Sequence, residues 1–219
     1  ATMAAGTFAT AGLIASVAAA KEFETEMVKL ITLVGIAEDQ MQSFADSILE
    51  MAPALGASPE ELARALYAIT SGGERSAEAI DLLEASAKAA RVGLGDMTSI
   101  ARVSTAVLQA YGKEALSAER AVSVMLMTVR EGNMVASELT TAIGRVVGIA
   151  AEMGVTFEEV GAFIATYTRL GVNAEIAATS LRSALFAILS PGEEAKKAFD
   201  DIGMSVEELR RRIQDDGLA

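Results

Sequence analysis

Gly154-Val155-Thr156-Phe157-Glu158-Glu159-Val160 is the stretch whose reading decides the fold. Thr156 is placed to cap a helix, its hydroxyl accepting a free amide of the first turn, while Glu159 three residues on can reach back to the cap amide. Val155 and Val160 flank the cap as an apolar staple, and Gly154 suits the left-handed turn that ends a preceding helix. Gly56-Ala57-Ser58-Pro59-Glu60-Glu61-Leu62 and Gly203-Met204-Ser205-Val206-Glu207-Glu208-Leu209 have the same form. There Ser58 with Glu61, and Ser205 with Glu208, take the capping roles, and Pro59 occupies a first helical position, where its missing N–H costs nothing. A chain that restarts helices in this way, each time after a glycine, is helical and folds back on itself.

The pattern extends outward from these starts. Residues 54–83 align without gaps on residues 152–181, each reading as a helix, a turn (Gly72-Gly73 or Gly171) and a second helix containing Ala77-Glu78 or Ala174-Glu175. The expectation is a duplicated helical hairpin. Asp96 to Tyr111 and Ser117 to Glu131 read as another hairpin turned at Gly112-Lys113, and Val135 to Met153 as a further helix. Upstream, Phe23, Met27, Leu30, Ile31 and Val34, then Met41, Phe44, Ala45, Ile48, Leu49 and Ala52, recur at helical spacing, giving one long helix or two joined near Gly35. Hairpins cannot bury both faces alone, so they must stack. The fold class expected is all-α: a long N-terminal helix or helix pair, then stacked helical hairpins forming a bundle or short superhelical array. Two regions are expected, an Ala-rich run and helical stalk over 1–52 and a helical-hairpin core over 53–219.

Composition narrows the chemistry. The 219 residues include no Cys and no His, which removes disulfides, thiolate nucleophiles, imidazole bases and the usual transition-metal ligands. Eighteen basic against 30 acidic residues give a formal charge of −12, unfavourable for a phosphate backbone. The densest basic cluster, Arg210-Arg211-Arg212, reads as cations near a helix C-terminus. The adjacent carboxylates Glu60 and Glu61 point about 100° apart on a helix, which suits capping better than acid/base catalysis. Gly93-Leu94-Gly95 has neither the strand nor the third glycine of a dinucleotide loop, and Asp200-Asp201 and Asp215-Asp216 lack calcium-loop spacing. Lys113 stands in no motif. No catalytic, cofactor-binding or metal residue is expected, no cofactor, and no sequence-specific nucleic-acid binding. The ten methionines, Met125, Met127, Met134 and Met153 among them, read as core filling among small alanines, with a surface that adapts to several partners as the alternative.

Ala1 to Ala20 carries no charge, and a helix of that length just spans a bilayer of roughly 30 Å. Nearly half of it is Ala, so the principal reading is a helix packed against protein. Phe8, Leu13, Ile14 and Val17 are the candidate membrane-contacting residues of the alternative. No basic region precedes the run, which argues against a secretory signal. A chain beginning at Ala1 and closing on Asp216-Gly217-Leu218-Ala219 reads as a piece of a longer protein.

Taken in order, the motifs resemble the helical domain of phage tail tape-measure proteins of the TP901 type. The resemblance opens on Ala18-Ala19-Ala20-Lys21-Glu22-Phe23-Glu24-Thr25-Glu26-Met27 and continues through Ala54 to Leu66 and Leu116-Ser117-Ala118-Glu119-Arg120-Ala121. It is most specific from Ile149 to Val160 with Leu170-Gly171-Val172. It closes on Thr179 to Leu185, Leu189-Ser190-Pro191 and Phe199 to Ser205. The resemblance implies a structural and assembly protein, not an enzyme. Its parent chain would set tail length, be anchored at the tail tip and be released during DNA ejection. Implied partners are the tail-tube protein, tail-tip or baseplate hub proteins and tail assembly chaperones, with a homo-oligomer, a trimer by preference, and possible host membrane contact. The implied locations are the tail lumen or tip of the virion, and host cytoplasm during assembly. The alternatives are a membrane-active helical module that contacts the host envelope and a generic helical adaptor.

Overall fold

A computed structural model describes residues 18–201 and 203–218. Helix α1 covers residues 18–29 and runs on as a π-helical turn, Leu30–Val34. It stops at Gly35, whose φ of 78° brings its amide back onto the carbonyls of Leu30 and Ile31. Only glycine adopts that angle without strain, so the apolar run from Phe23 to Ala52 becomes two helices. Ten more follow: α2 (Glu38–Leu55), α3 (Pro59–Ser71), α4 (Glu78–Arg91), α5 (Met97–Tyr111), α6 (Ala118–Glu131), α7 (Ala136–Glu152), α8 (Phe157–Arg169), α9 (Ala174–Leu189), α10 (Glu193–Asp201) and α11 (Val206–Asp216). No strand occurs among the described residues. The fold is all-α. Pro53 lies inside the last turns of α2, and the helix ends at Gly56, φ 63°, where the next capping sequence begins.

The helices form two layers. In one, α2, α4, α6 and α8 lie side by side; in the other, the end of α1 is followed by α3, α5, α7, α9 and α11. From α2 to α9 each helix also packs on its chain neighbours across the layers. The even helices α2, α4, α6 and α8 begin at residues 38, 78, 118 and 157, steps of 40, 40 and 39. The odd helices α3, α5, α7 and α9 begin at 59, 97, 136 and 174, steps of 38, 39 and 38. The repeat is therefore a helical hairpin of about 39 residues, and the chain is a short two-layer array in which each unit touches its neighbours.

This corrects the duplication expected from residues 54–83 and 152–181. Helix α8 begins 98 residues after α3, two and a half repeats, so that alignment lays a helix of one layer on a helix of the other. The sequences agree because both are capped helix starts, and capping chemistry does not depend on layer.

One core runs the length of the array. Leu30, Ile48, Leu62, Leu66, Ile69, Leu82, Leu83, Ile100, Met125, Leu139 and Ile143 are fully buried in it, and alanines such as Ala63, Ala101, Ala121, Ala142, Ala174 and Ala178 fill the positions between. These short side chains let helices approach closely. One close approach is between α6 and α8, where a Cβ on Gly161 would lie 3.1 Å from Val124 Cγ1 and closer still to Thr128 Oγ1. Buried hydroxyls are satisfied within their own helices: Thr70, Ser86, Thr105, Thr128 and Thr168 donate to the carbonyls of Leu66, Leu82, Ala101, Val124 and Ile164 at 2.7–3.0 Å. Only Ser104 Oγ, on α5, has no partner among the described residues.

Candidate interaction surfaces

The capping residues sit where chain direction reverses. Ser58 Oγ accepts from the Glu61 amide and the Glu61 carboxylate accepts from the Ser58 amide, both at 3.1 Å, to start α3. Thr156 and Glu159 make the same pair of bonds at 3.3 and 2.8 Å to start α8. At α11 only half the arrangement forms. Ser205 Oγ accepts from the Glu208 amide at 3.0 Å, but the Glu208 carboxylate is held by Arg211 and Arg212. Asp96, Ser117 and Asn173 cap α5, α6 and α9. Their third helical positions hold no carboxylate, so the sequence signature is weaker.

A second set of contacts ties each repeat to the next, between residues 35 to 44 apart. Arg91 Nη1 donates to the Ala54 carbonyl at 2.9 Å, and Gln109 Nε2 to that of Gly72. Tyr111 Oη donates to the Val155 carbonyl at 2.9 Å while its ring lies 5.9 Å from that of Phe157. Burial, with the charges of Glu158 and Glu159 nearby, holds the Tyr111 phenol proton well above its ordinary pKa. Glu74, in the turn before α4, is 8% exposed and meets Lys113 Nζ at 2.5 Å. Burial opposes its ionisation most strongly, but hydrogen bonds from Lys113 and Ser76 together outweigh that effect and hold its pKa below the usual carboxylate value. Lys113, which stands in no motif, is thus half of a clasp. Glu159 also accepts from the Leu218 amide at 2.6 Å, joining the last helix to the start of α8.

The basic run lies within α11 rather than at its end. Arg210 reaches across to the Ile188 carbonyl at 3.0 Å, so it caps α9, a different helix from its own.

The outer faces of the two layers differ. On the odd face, α5 carries Arg102 as its one charge, α7 carries Glu138, Arg145 and Glu152, and α9 carries Glu175 and Arg182. Apart from Gln109, the rest of the exposed surface there is short or apolar: Ser99, Ala106, Ser137, Thr141, Gly144, Gly148, Ser180 and Ser183, with Ile176 and Phe186 at 59% and 57% exposure. A concavity of about 560 Å³ between α1, α3 and α5 brings together Lys29, Arg64 and Arg102 with Glu26 and Tyr67. On the even face, a groove of about 370 Å³ between α4 and α6 collects Glu74, Glu78, Asp81, Glu84 and Glu119 against Lys88 and Lys113. A third hollow of about 420 Å³, between α6 and α8, has a floor of Val124, Met127, Gly161 and Ala165, with Arg120 and Glu158 paired at 2.6 Å on its rim.

Among the described residues no group of three or more acidic side chains is arranged to hold a metal ion. No helix of the described residues is long and apolar enough to cross a membrane. Phe8, Leu13, Ile14 and Val17 lie outside the described residues.

Residues 45–217 match the sequence profile of the family described as phage-related minor tail protein. The chain is 25% identical over 191 residues to the tape measure protein of Pneumococcus phage Dp-1, covering 87% of this chain and 17% of that protein. It is 29% identical over 192 residues to the probable tape measure protein of Clostridium phage phiCD119, covering 86% of this chain and 20% of that one. The chain thus spans a fifth or less of the length of these relatives. No solved structure matches it. With most of the two-layer array inside the family profile, the chain belongs to the phage-related minor tail protein family, that of the phage tail tape-measure proteins.

Proposed function

We propose that this chain is a folded assembly and anchoring module of a tape-measure protein whose ruler lies elsewhere in the parent. Compaction carries the reading. As one continuous helix, the stretch from Glu38 to Asp216 would reach about 270 Å at 1.5 Å per residue. Folded as hairpins that advance about 10 Å per repeat, it reaches on the order of 50 Å. A segment that shortens its own reach several-fold is a poor ruler and a good body for contacts. The parent would set tail length through extended helix elsewhere in its length, and leave the tail during DNA ejection. In this proposal the module sits in the tail lumen or at the tip. It engages the tail-tube protein and the tail-tip or baseplate hub, is held by tail assembly chaperones in the host cytoplasm, and self-associates there. The working boundary proposed between stalk and module is the Gly35 turn rather than residue 52, because α2 is half of the first hairpin.

In-frame removal of residues 38–189 from the parent gene tests this. The expected result is loss of assembled tails or of infectivity. Infectious particles whose tails are uniformly shorter, by about 1.5 Å per residue removed, would make the module part of the ruler. A second role, envelope contact, is proposed for the uncharged run Ala1 to Ala20. Liposome flotation of the chain with and without that run separates the two readings, and flotation of neither form rejects membrane contact.

A further inference from the structure

The two layers differ in charge: α3, α5, α7 and α9 are close to neutral, with four arginines against five carboxylates, whereas α2, α4, α6 and α8 are together acidic. Each of α3, α5, α7 and α9 has a single cation, Arg64, Arg102, Arg145 and Arg182, and all four are exposed. They are the sixth, sixth, tenth and ninth residues of helices that run parallel within one layer, so they form a row across it with steps of about 10 Å. Arg64 shares Glu60 and Glu26, and Arg145 meets Glu175 at 2.6 Å. Arg102 and Arg182 have no ion-pair partner among the described residues. Lys29 makes the hollow beside Arg64 and Arg102 locally cationic, although its own nearest carboxylate, Glu26, is 2.7 Å away. The groove between α4 and α6 on the even face holds five carboxylates against two lysines.

A chain of charge −12 repels its own copies at long range, so self-association requires local matching at a face where the repulsion is least. The α5–α7–α9 face meets that condition, and its Ile176 and Phe186 are apolar anchors left in solvent. Three helices about 22 Å long and about 10 Å apart offer on the order of 650 Å² per copy, near the lower bound for a stable pairing.

We propose that the arginine row of one copy docks on the acidic α4–α6 groove of a second copy. This rests on the self-association read above and assigns it a surface. Because different patches meet, the contact is heterologous, and copies add head to tail, closing into a ring if the rotation per step allows.

Sedimentation velocity of the whole chain tests the pairing. At about 50 mM salt the chain associates, and at about 500 mM the association weakens at least tenfold, because the matched charges are screened. Arg102→Glu with Arg182→Glu, or Asp81→Lys with Glu119→Lys, gives a chain that stays monomeric, with unchanged circular dichroism because all four positions are exposed. Mixing the two variants restores association in a one-to-one ratio. An oligomer indifferent to salt and to both reversals would overturn the assigned faces while leaving self-association standing. A wild-type chain that remains monomeric at low salt would overturn both, and neither result bears on the tail phenotype of the deletion.

Discussion

The even and odd layers are built from helices of similar length and cap chemistry, yet they face solvent differently. Helices α4, α6 and α8 carry five, four and three charged residues, whereas α5, α7 and α9 carry one, three and two. Both layers bury the same kind of core, Leu and Ile separated by Ala, so burial does not explain the contrast. What differs is the outer face. The even face is solvated by charge, while the odd face presents Ser, Thr, Gly, Ala and isolated apolar groups around a row of arginines. The layers are therefore alike in what they bury and unlike in what they present to solvent.

Core truncation tests the equivalence with the largest expected effect. Leu83→Ala on α4 and Leu139→Ala on α7 remove fully buried side chains and should each cost about 2–5 kcal/mol in chemical denaturation. A loss confined to one layer would show that the layers do not share a core. Gly161→Ala comes next. The added Cβ meets Thr128, whose hydroxyl is fixed on the Val124 carbonyl at 2.8 Å, so separation of α6 from α8 should cost about 1–3 kcal/mol. An unchanged melting temperature would mean that the two helices are not in close contact.

The Glu74–Lys113 clasp gives a pH signature. The folded-state pKa of Glu74 lies below its ordinary value of 4.5, so its contribution is fully present above that pH and is lost as pH falls through the lowered value. For Lys113 the shift is upward from 10.5, held chiefly by the hydrogen bond to Glu74, so its contribution is present below that pH and lost as pH rises through the raised value. Glu74→Gln should reduce the acid-side slope of stability, and an identical slope in variant and wild type would remove the clasp from the account of repeat coupling. The smallest effect is expected at Ser104, whose buried hydroxyl has no partner among the described residues. Ser104→Ala should leave stability unchanged or raise it by up to about 1 kcal/mol, and a loss well beyond that would reveal a bond the hydroxyl makes.

Much of the fold was legible in the sequence because its signals are local. A cap such as Ser58 with Glu61 works within four residues, and a glycine with positive φ, Gly35 or Gly56, ends a helix wherever it stands. The repeat was not legible. Successive units share apolar character at matching buried positions, as at Leu62, Ile100 and Leu139, rather than residue identity, and the strongest match, between residues 54–83 and 152–181, was produced by capping chemistry that both layers use. The ties between repeats were hidden for a related reason. Tyr111 to Val155, Gln109 to Gly72 and Arg210 to Ile188 each end on a backbone carbonyl, which every residue has, so one partner leaves no trace in residue type. The charge contrast between faces could be counted only once α4, α6 and α8 were known to lie in one layer.

The absence of cysteine allows the layered array to be measured directly. Ala106→Cys on α5 and Ser180→Cys on α9 place two spin labels at exposed positions two helices apart in one layer. Pulsed electron paramagnetic resonance should give a single distance of about 20–30 Å. A separation approaching the roughly 110 Å expected for 74 residues of continuous helix would contradict the folded array and return the segment to the ruler.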